Sequence, residues 1–118
     1  MQGTNELFKA GDIVVTDFPG ITGIKRRPAV VLSSDTFHAT HADVIIGLIT
    51  SHLGAAHTPS DYVLADWAEA GLKLPSAFRA FLVTMPSEAI TARIGRLSDH
   101  DWESVRSSAR SALALFPS

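Results

Sequence analysis

The sequence predicts a mainly β fold with helices, in which a small and strongly bent barrel is capped by a C-terminal amphipathic helix. Two observations support this fold class. Short apolar runs rich in β-branched residues alternate with glycine- and proline-bearing turns through residues 11–97. Beyond them, apolar residues recur at helical spacing. With 118 residues, of which 46% are hydrophobic and 19% charged, the chain is expected to be one globular domain covering residues 1–118.

Each element is predicted from a local pattern. The strands are expected at residues 13–18, 28–34, 43–50, 61–65, 78–85 and 92–97, where apolar runs are bounded by turn residues. Pro28 lacks a backbone N–H and is expected to open the second strand. Residues 19–23 are expected to form a glycine-bearing loop. Residues 67–72 are expected to form one helical turn that ends at Gly71.

The C-terminal helix is predicted to begin after Ser98, which can cap it, with acidic residues in its first turn. Pro117 is expected to end the helix. Arg106 and Arg110 are placed on the side away from its apolar stripe. The stripe consists of Trp102, Val105, Ala109, Ala112, Leu113 and Phe116.

Composition excludes several classes of function. The net charge of −2 gives no general attraction to nucleic acid, so a polyanion site has to be a local cationic patch. The absence of cysteine removes disulfides, thiolate chemistry and cysteine-based zinc sites, and it fits a cytoplasmic protein. No apolar run is long enough to span a membrane, and the N-terminus has no signal-peptide pattern, so no membrane association is expected.

The most informative stretch is the basic triplet Lys25-Arg26-Arg27, which stands directly before Pro28. Proline disfavours the helical conformation in the residue before it, so Arg27 is expected to be extended. A guanidinium held in this way can face a phosphate in a fixed pose. The alternative is that the three cations are simply solvated at the end of a loop.

A second candidate lies at the end of the third strand, where Thr50 and Ser51 carry hydroxyl groups. This strand end is expected to neighbour the basic triplet in the sheet. Arginine and hydroxyl together suit a phosphodiester, because the guanidinium binds two oxygens and the hydroxyl donates to a third. The alternative is that both hydroxyls only bond to the local backbone.

Conventional catalytic motifs are missing from the sequence. It contains no G-x-S-x-G, no Walker loop and no dinucleotide fingerprint, and the carboxylates are scattered. His38 and His41 are spaced i and i+3, which places both on one face of a helical turn, but no third ligand has suitable spacing. We therefore expect neither a metal nor a cofactor.

An ordered set of short segments resembles the PemK/MazF-like toxins of bacterial toxin–antitoxin pairs. The set covers nearly the whole chain, and its specificity comes from the order of the segments. The segments are Gly11-Asp12-Ile13-Val14 with Asp17, Arg27-Pro28-Ala29-Val30-Val31-Leu32 with Ser34-Asp35, Ile49-Thr50, Ala70-Gly71-Leu72-Lys73, Pro75-Ser76 and Ile94-Gly95-Arg96-Leu97-Ser98-Asp99.

The resemblance implies an SH3-like barrel, a homodimer and a metal-independent, sequence-selective endoribonuclease. Such an enzyme cleaves single-stranded RNA through a 2′,3′-cyclic phosphate and is inhibited by the acidic C-terminal tail of a cognate antitoxin. The family's catalytic arginine and threonine map onto Arg27 and Thr50.

The nearby cations and one hydroxyl complete the set of candidate site residues. The expected RNA-binding residues are Lys25, Arg26, Ser51 and Arg79.

The sequence also departs from the family in two places. Its first loop is shorter and lacks the acidic residue or glutamine that often precedes the arginine, and Thr84-Met85-Pro86 stands where an Ile-Arg pair is common. The alternative function is therefore a non-catalytic SH3-like barrel that binds RNA or a partner peptide.

Overall fold

The computed structural model of the chain describes residues 7–20, 23–56 and 58–115. It confirms the predicted fold class, since one six-stranded antiparallel sheet curls into a half-barrel and a helix follows it. The strands are β1 (Asp12–Gly20), β2 (Gly23–Val31), β3 (Asp43–Thr50), β4 (Tyr62–Val63), β5 (Ala77–Pro86) and β6 (Ile90–Arg96). The helices are α1 (Asp35–Thr40) and α2 (Asp99–Ala112), with 3₁₀ turns at Leu53–Ala55 and Ser87–Ala89.

The order of strands in the sheet is β4-β5-β3-β2-β1-β6. Alternate residues of the strands build an apolar core on each face. One core includes Val14, Phe18, Ala29, Val31, Ile46 and Leu48. The other includes Ile13, Val30, Ile49, Phe78, Leu97 and Val105, so α2 closes this second face. No helix among the described residues is long and apolar enough to cross a bilayer.

The β1–β2 hairpin is longer than predicted. Its register runs from Ile13 opposite Val30 to Gly20 opposite Gly23, so most of the expected loop belongs to the two strands, and residues 21–22 lie outside the described residues. The prediction that Pro28 opens the second strand is wrong, because Pro28 lies inside β2 opposite Val15. The ladder to β3 begins only at Ala29, so the missing N–H of Pro28 interrupts no pairing on that side.

The second strand also ends earlier than predicted, at Val31, and Ser34 instead caps α1 by accepting a hydrogen bond from the Phe37 N–H at 3.2 Å. Within α1 the two histidines separate. His38 is buried and lies 2.6 Å from the Ser33 hydroxyl, and its burial lowers its pKa. His41 is exposed and stacks on Phe37 with ring centroids 4.1 Å apart.

The fourth predicted strand shortens to the two residues of β4. The helical turn predicted at 67–72 is present as a turn that ends at Gly71, whose φ is +89°. The N–H of Gly71 donates to the Ala68 carbonyl and that of Leu72 to the Trp67 carbonyl, which is the hydrogen-bond pattern of a Schellman motif. Glycine is favoured there because the left-handed conformation costs it nothing.

Helix α2 begins as predicted, because the Ser98 hydroxyl accepts a hydrogen bond from the Asp101 N–H at 3.1 Å. The prediction that Pro117 ends the helix is wrong, because α2 ends at Ala112 and Leu113 is already extended. Phe116 and Pro117 lie outside the described residues. The buried side of α2 consists of Asp101, Val105 and Ser108. The apolar stripe is therefore only partly covered.

Candidate active site

A cavity of about 470 Å³ opens where β2 and β3 diverge. One wall comes from these two strands and the other from the segment that follows the turn at Gly71. Its lining is Val15, Arg26, Arg27, Pro28, Ile49, Thr50, Ser51, Gly71, Leu72, Lys73, Leu74, Ser76 and Ile94. Four of the six predicted site residues, Arg26, Arg27, Thr50 and Ser51, are thus brought together.

The strand pairing shows where Arg27 and Thr50 stand. The last pair between β2 and β3 is Ala29 opposite Leu48. Arg27 and Thr50 each lie two residues beyond this pair, where the two strands are no longer paired. Both residues line the cavity that opens there.

Arg27 and Thr50 differ in the hydrogen bonds and ion pairs that they make with the rest of the protein. Arg27 is half-buried, and its guanidinium makes no hydrogen bond or ion pair within the described ranges. Thr50 is 7% exposed, and its hydroxyl oxygen accepts a hydrogen bond from the His52 N–H at 3.0 Å. A hydroxyl can accept and donate together, so the local bond expected for Thr50 holds its oxygen while the proton stays available to a ligand.

Arg26 precedes Arg27 in β2, and Ser51 directly follows the end of β3. Both also line the cavity, which therefore extends beyond the end of the strand pair. Arg26 is held at the cavity by Asp17, its cross-strand neighbour, with 3.5 Å between Nε and Oδ1. Lys25 is exposed opposite Phe18 and does not line the cavity.

Arg79 is placed elsewhere. It lines a separate cavity of about 380 Å³ with Asp61 and Phe81. Its Nε lies 3.9 Å from the Asp61 carboxylate, an ion pair too long to be a hydrogen bond. Burial favours the neutral form of Asp61, but hydrogen bonds from Thr58 and the charge of Arg79 outweigh it and lower the pKa of Asp61. The structure therefore does not bring Arg79 to the cavity of Arg27.

Two further residues of the cavity lining carry polar side chains and were not among the predicted site residues. Lys73 is exposed at the rim, and Ser76 is buried, with its hydroxyl donating to the Leu74 carbonyl at 2.8 Å. Both stand in segments that carry the family resemblance, which was the one signal available for them. Nothing in the local sequence indicates that this segment folds against the ends of β2 and β3.

A glycine contact holds this wall in place. A Cβ at Gly71 would overlap the carbonyl oxygen of Ile94, and a Cβ at Gly95 would overlap that of Ala70. The backbone of the turn therefore touches the backbone of β6 directly, and neither position has room for a side chain. This contact fixes where Lys73 stands relative to Arg27.

One set of potential metal ligands lies outside the cavity. Asp66, His100 and Asp101 place one ligand atom each within 4.8 Å of one another. The buried Asp101 carboxylate, however, already accepts hydrogen bonds from the Tyr62 hydroxyl at 2.8 Å, the Ala65 N–H at 3.0 Å and the Asp66 N–H at 2.7 Å. Burial opposes its ionisation, but these hydrogen bonds outweigh burial and lower the pKa of Asp101. The arrangement ties α2 to the segment before the Gly71 turn.

Comparison with known proteins identifies the family of the chain. The family model described as "PemK-like, MazF-like toxin of type II toxin-antitoxin system" matches residues 9–113. No curated protein matches the sequence.

Solved structures share the fold at low identity. An endoribonuclease in complex with its cognate antitoxin from a mycobacterial species is 17% identical with a TM-score of 0.74, over 93% of this chain and 99% of that one. The Mycobacterium tuberculosis toxin MazF-mt6 is 19% identical with a TM-score of 0.73, over 90% and 99%. MazF from Deinococcus radiodurans is 21% identical with a TM-score of 0.73, over 94% and 100%.

Proposed function

The chain belongs to the PemK-like, MazF-like toxins of type II toxin–antitoxin systems, and we propose that it is a single-domain, metal-independent endoribonuclease that cleaves single-stranded RNA at selected sequences. The observation that supports the proposal is that Arg27 and Thr50 line the same open cavity. The guanidinium is not engaged by another described side chain, and the threonine hydroxyl has a proton to donate.

In the proposed reaction, the 2′-hydroxyl of the RNA attacks its own 3′-phosphate. The bond from phosphorus to the 5′-oxygen of the next nucleotide breaks, which leaves a 2′,3′-cyclic phosphate and a 5′-hydroxyl. Solvent water in the open cavity takes the proton of the 2′-hydroxyl and gives a proton to the departing 5′-oxygen. Arg27 binds two oxygens of the pentacoordinate phosphorus, and Thr50 donates to a third. Arg27 stabilises negative charge and does not transfer the proton, because a guanidinium hardly titrates.

Binding of the RNA strand uses the cations around the cavity. Arg26 and Lys73 line its rim, and Lys25 extends the positive surface along the hairpin. Because few phosphates are neutralised, affinity should fall gently with salt, with a slope of about −0.7 per contacted phosphate. Ser51 faces the bases of the strand. A contact from Arg79 would have to be made from its separate cavity.

The proposal includes a cognate antitoxin and a homodimer. A cationic cavity that accepts RNA also accepts the acidic tail of an antitoxin, so the two should compete. Ile24 and Leu74, with 73% and 58% of their surface exposed, leave apolar area near the cavity for a second protomer to cover. Two protomers would join two small cationic patches into one groove.

One observation favours the alternative, a barrel that binds RNA or a peptide without cleaving it. The described lining of the cavity contains no carboxylate and no imidazole, so no conventional general base faces Thr50. The two proposals differ in one product, the 2′,3′-cyclic phosphate end.

The test is incubation of the purified protein with a mixed-sequence RNA in excess chelator, followed by analysis of the fragment ends. We expect 2′,3′-cyclic phosphates and 5′-hydroxyls. Arg27→Ala should abolish cleavage, and Arg27→Lys should fail nearly as badly because lysine cannot bind two oxygens in a fork. Arg93→Lys is the matched control, since Arg93 is exposed on β6 and does not line the cavity.

Each other outcome has a definite meaning. RNA that is bound but left intact by the wild-type protein would support the binding alternative. A rate for Arg27→Lys close to that of the wild type would show that the bidentate role is wrong.

A further inference from the structure

The proposed cleavage needs an acceptor for the proton of the attacking 2′-hydroxyl. Solvent water is a weak base, and a side chain that takes the proton on from the water accelerates such a step by about 10²–10⁴-fold. Arg27 and Thr50 cannot take this part, because a guanidinium hardly titrates and a neutral hydroxyl is no stronger a base than water. The described lining of the cavity holds no carboxylate or imidazole, so the acceptor has to stand beside the lining.

His52 stands next to this lining. It directly follows Ser51, which lines the cavity, and it comes two residues after Thr50. The backbone N–H of His52 donates to the Thr50 hydroxyl oxygen at 3.0 Å. This bond anchors the backbone of His52 against the hydroxyl that is proposed to bind the phosphate. The imidazole can therefore reach a water that is bound to the same phosphate.

The His52 imidazole is free to move. It is exposed and makes no hydrogen bond or ion pair in the part of the chain that the structure describes. Its Cδ2 and Nε2 atoms lie over the turn at Leu53–Ala55, 3.8 Å from the position that a Cβ on Gly54 would occupy. Exposed side chains change rotamer in picoseconds to nanoseconds, so the ring can turn from this position to the mouth of the cavity within one catalytic cycle.

The other described histidines belong to elements away from the cavity. His38 and His41 lie in α1, which joins the opposite ends of β2 and β3. His100 lies in the first turn of α2, 3.4 Å from the Asp101 carboxylate. None of these three side chains lines the cavity, and His57 lies outside the described residues.

One carboxylate competes with His52 for the role of proton acceptor. Asp17 pairs with Arg26 at 3.5 Å between Oδ1 and Nε, and Arg26 lines the cavity. Asp17 itself does not line the cavity, and its carboxylate is engaged by this ion pair. The His52 ring has no such partner among the described residues, so it is the better acceptor.

We propose that His52 is the general base of the cleavage reaction and acts through one water. This inference rests on the proposed RNA cleavage. The water takes the 2′-hydroxyl proton and passes a proton to the His52 imidazole while the 2′-oxygen bonds to phosphorus. The departing 5′-oxygen takes a proton from solvent, and the imidazolium then releases its proton to solvent, so the enzyme ends as it began. Histidine suits this step because an imidazole accepts and releases a proton near neutral pH.

The first test is the single-turnover cleavage rate of His52→Gln on an RNA that the wild-type protein cleaves. Glutamine keeps the backbone N–H that bonds to Thr50 but cannot accept the proton, so the rate should fall by about 100-fold. His41→Gln is the matched control and should leave the rate unchanged, since His41 is an exposed histidine of α1. A rate for His52→Gln close to that of the wild type would overturn the inference and leave the proposed function standing. Absence of cleavage by the wild type would overturn both.

Chemical rescue distinguishes a base from a structural residue. Added imidazole should restore part of the rate to His52→Ala, in a saturable way, and should restore none to Arg27→Ala. Among substituted imidazoles of similar size, the stronger bases should rescue better. Rescue that follows size and ignores base strength would show that the ring only fills space, and no rescue would exclude a role in proton transfer; either result would overturn the inference.

Two further measurements complete the test. An RNA with a 2′-deoxy nucleotide at the cleavage position cannot react, and His52→Gln should bind it as tightly as the wild type does, because His52 acts on the proton and not on the strand. A loss of affinity as large as the loss of rate would contradict the inference. Asp17→Asn should cost less rate than His52→Gln, whereas a larger loss for Asp17→Asn would assign the base to Asp17.

Discussion

Replacement of Asp101 by asparagine should destabilise the protein far more than a surface substitution would. The Asp101 side chain has no exposed surface, and one of its oxygens accepts from the Tyr62 hydroxyl and the Ala65 N–H while the other accepts from the Asp66 N–H. Asparagine keeps the shape but offers one acceptor oxygen. If that oxygen retains the first two bonds, the amide N–H₂ faces the Asp66 N–H, donor against donor.

The loss of unfolding free energy in Asp101→Asn can be estimated from these contacts. A hydrogen bond to a charged group contributes about 1.5–3 kcal/mol, and an unsatisfied buried donor costs a further ~1–3 kcal/mol. With the other two bonds weakened by the loss of charge, the free energy of unfolding should fall by about 3 kcal/mol. Asp99→Asn is the matched control, because Asp99 is an exposed residue of the same helical turn and its loss costs at most about 1 kcal/mol.

The assay is urea denaturation of both variants and the wild type across a pH series. Because the pKa of Asp101 is lowered below its usual 3.8, the folded state holds the carboxylate more firmly than the unfolded state does. The stability it contributes is therefore complete above the usual value and is lost as pH falls through the folded value. The gap between wild type and Asp101→Asn should be constant at neutral pH and narrow below about pH 4. If Asp101→Asn costs no more than Asp99→Asn, the reasoning about this carboxylate is wrong.

Three other predictions concern the cavity and its wall. Thr50→Val removes the hydroxyl and should lower the single-turnover cleavage rate by about 100-fold, whereas Thr50→Ser should keep most of it; equal rates for the two would remove Thr50 from the mechanism. Gly95→Ala should lower the free energy of unfolding by about 2–4 kcal/mol, because its Cβ would overlap the Ala70 carbonyl, while Gly54→Ala, whose Cβ would meet only the His52 ring at 3.8 Å, should change it little. Cleavage should proceed at an unchanged rate in excess chelator, and a strict requirement for a divalent ion would contradict the cyclising mechanism.

The candidate site shows which of its residues could be identified from sequence patterns. Arg27 and Thr50 were proposed because an arginine before proline and a threonine at a strand end were expected on neighbouring strands, and the two residues do line one cavity. Lys73 and Ser76 were missed because their place beside Arg27 depends on a backbone contact between residues far apart in the sequence. Arg79 was chosen for its charge, and charge alone does not say which cavity a side chain enters.

The sequence by itself determined the elements whose signals are local. Apolar runs bounded by turn residues located β3 and β5, and Ser98 located the start of α2, because these signals act within a few residues. The end of the turn at Gly71 is also a local signal, because a backbone in the left-handed conformation favours glycine whatever surrounds it.

Only the tertiary structure decided the features that depend on pairing and packing. Pro28 lies inside β2 because β3 does not pair with that part of the strand. His38 is buried and its ring lies against the Ser33 hydroxyl, five residues earlier in the chain. The docking of α2 likewise depends on distant groups, because Asp101 in its first turn accepts hydrogen bonds from the Ala65 and Asp66 N–H groups. Such outcomes depend on which distant groups meet, since every buried polar group needs a partner and every close contact needs room, and neither condition can be read from neighbouring residues alone.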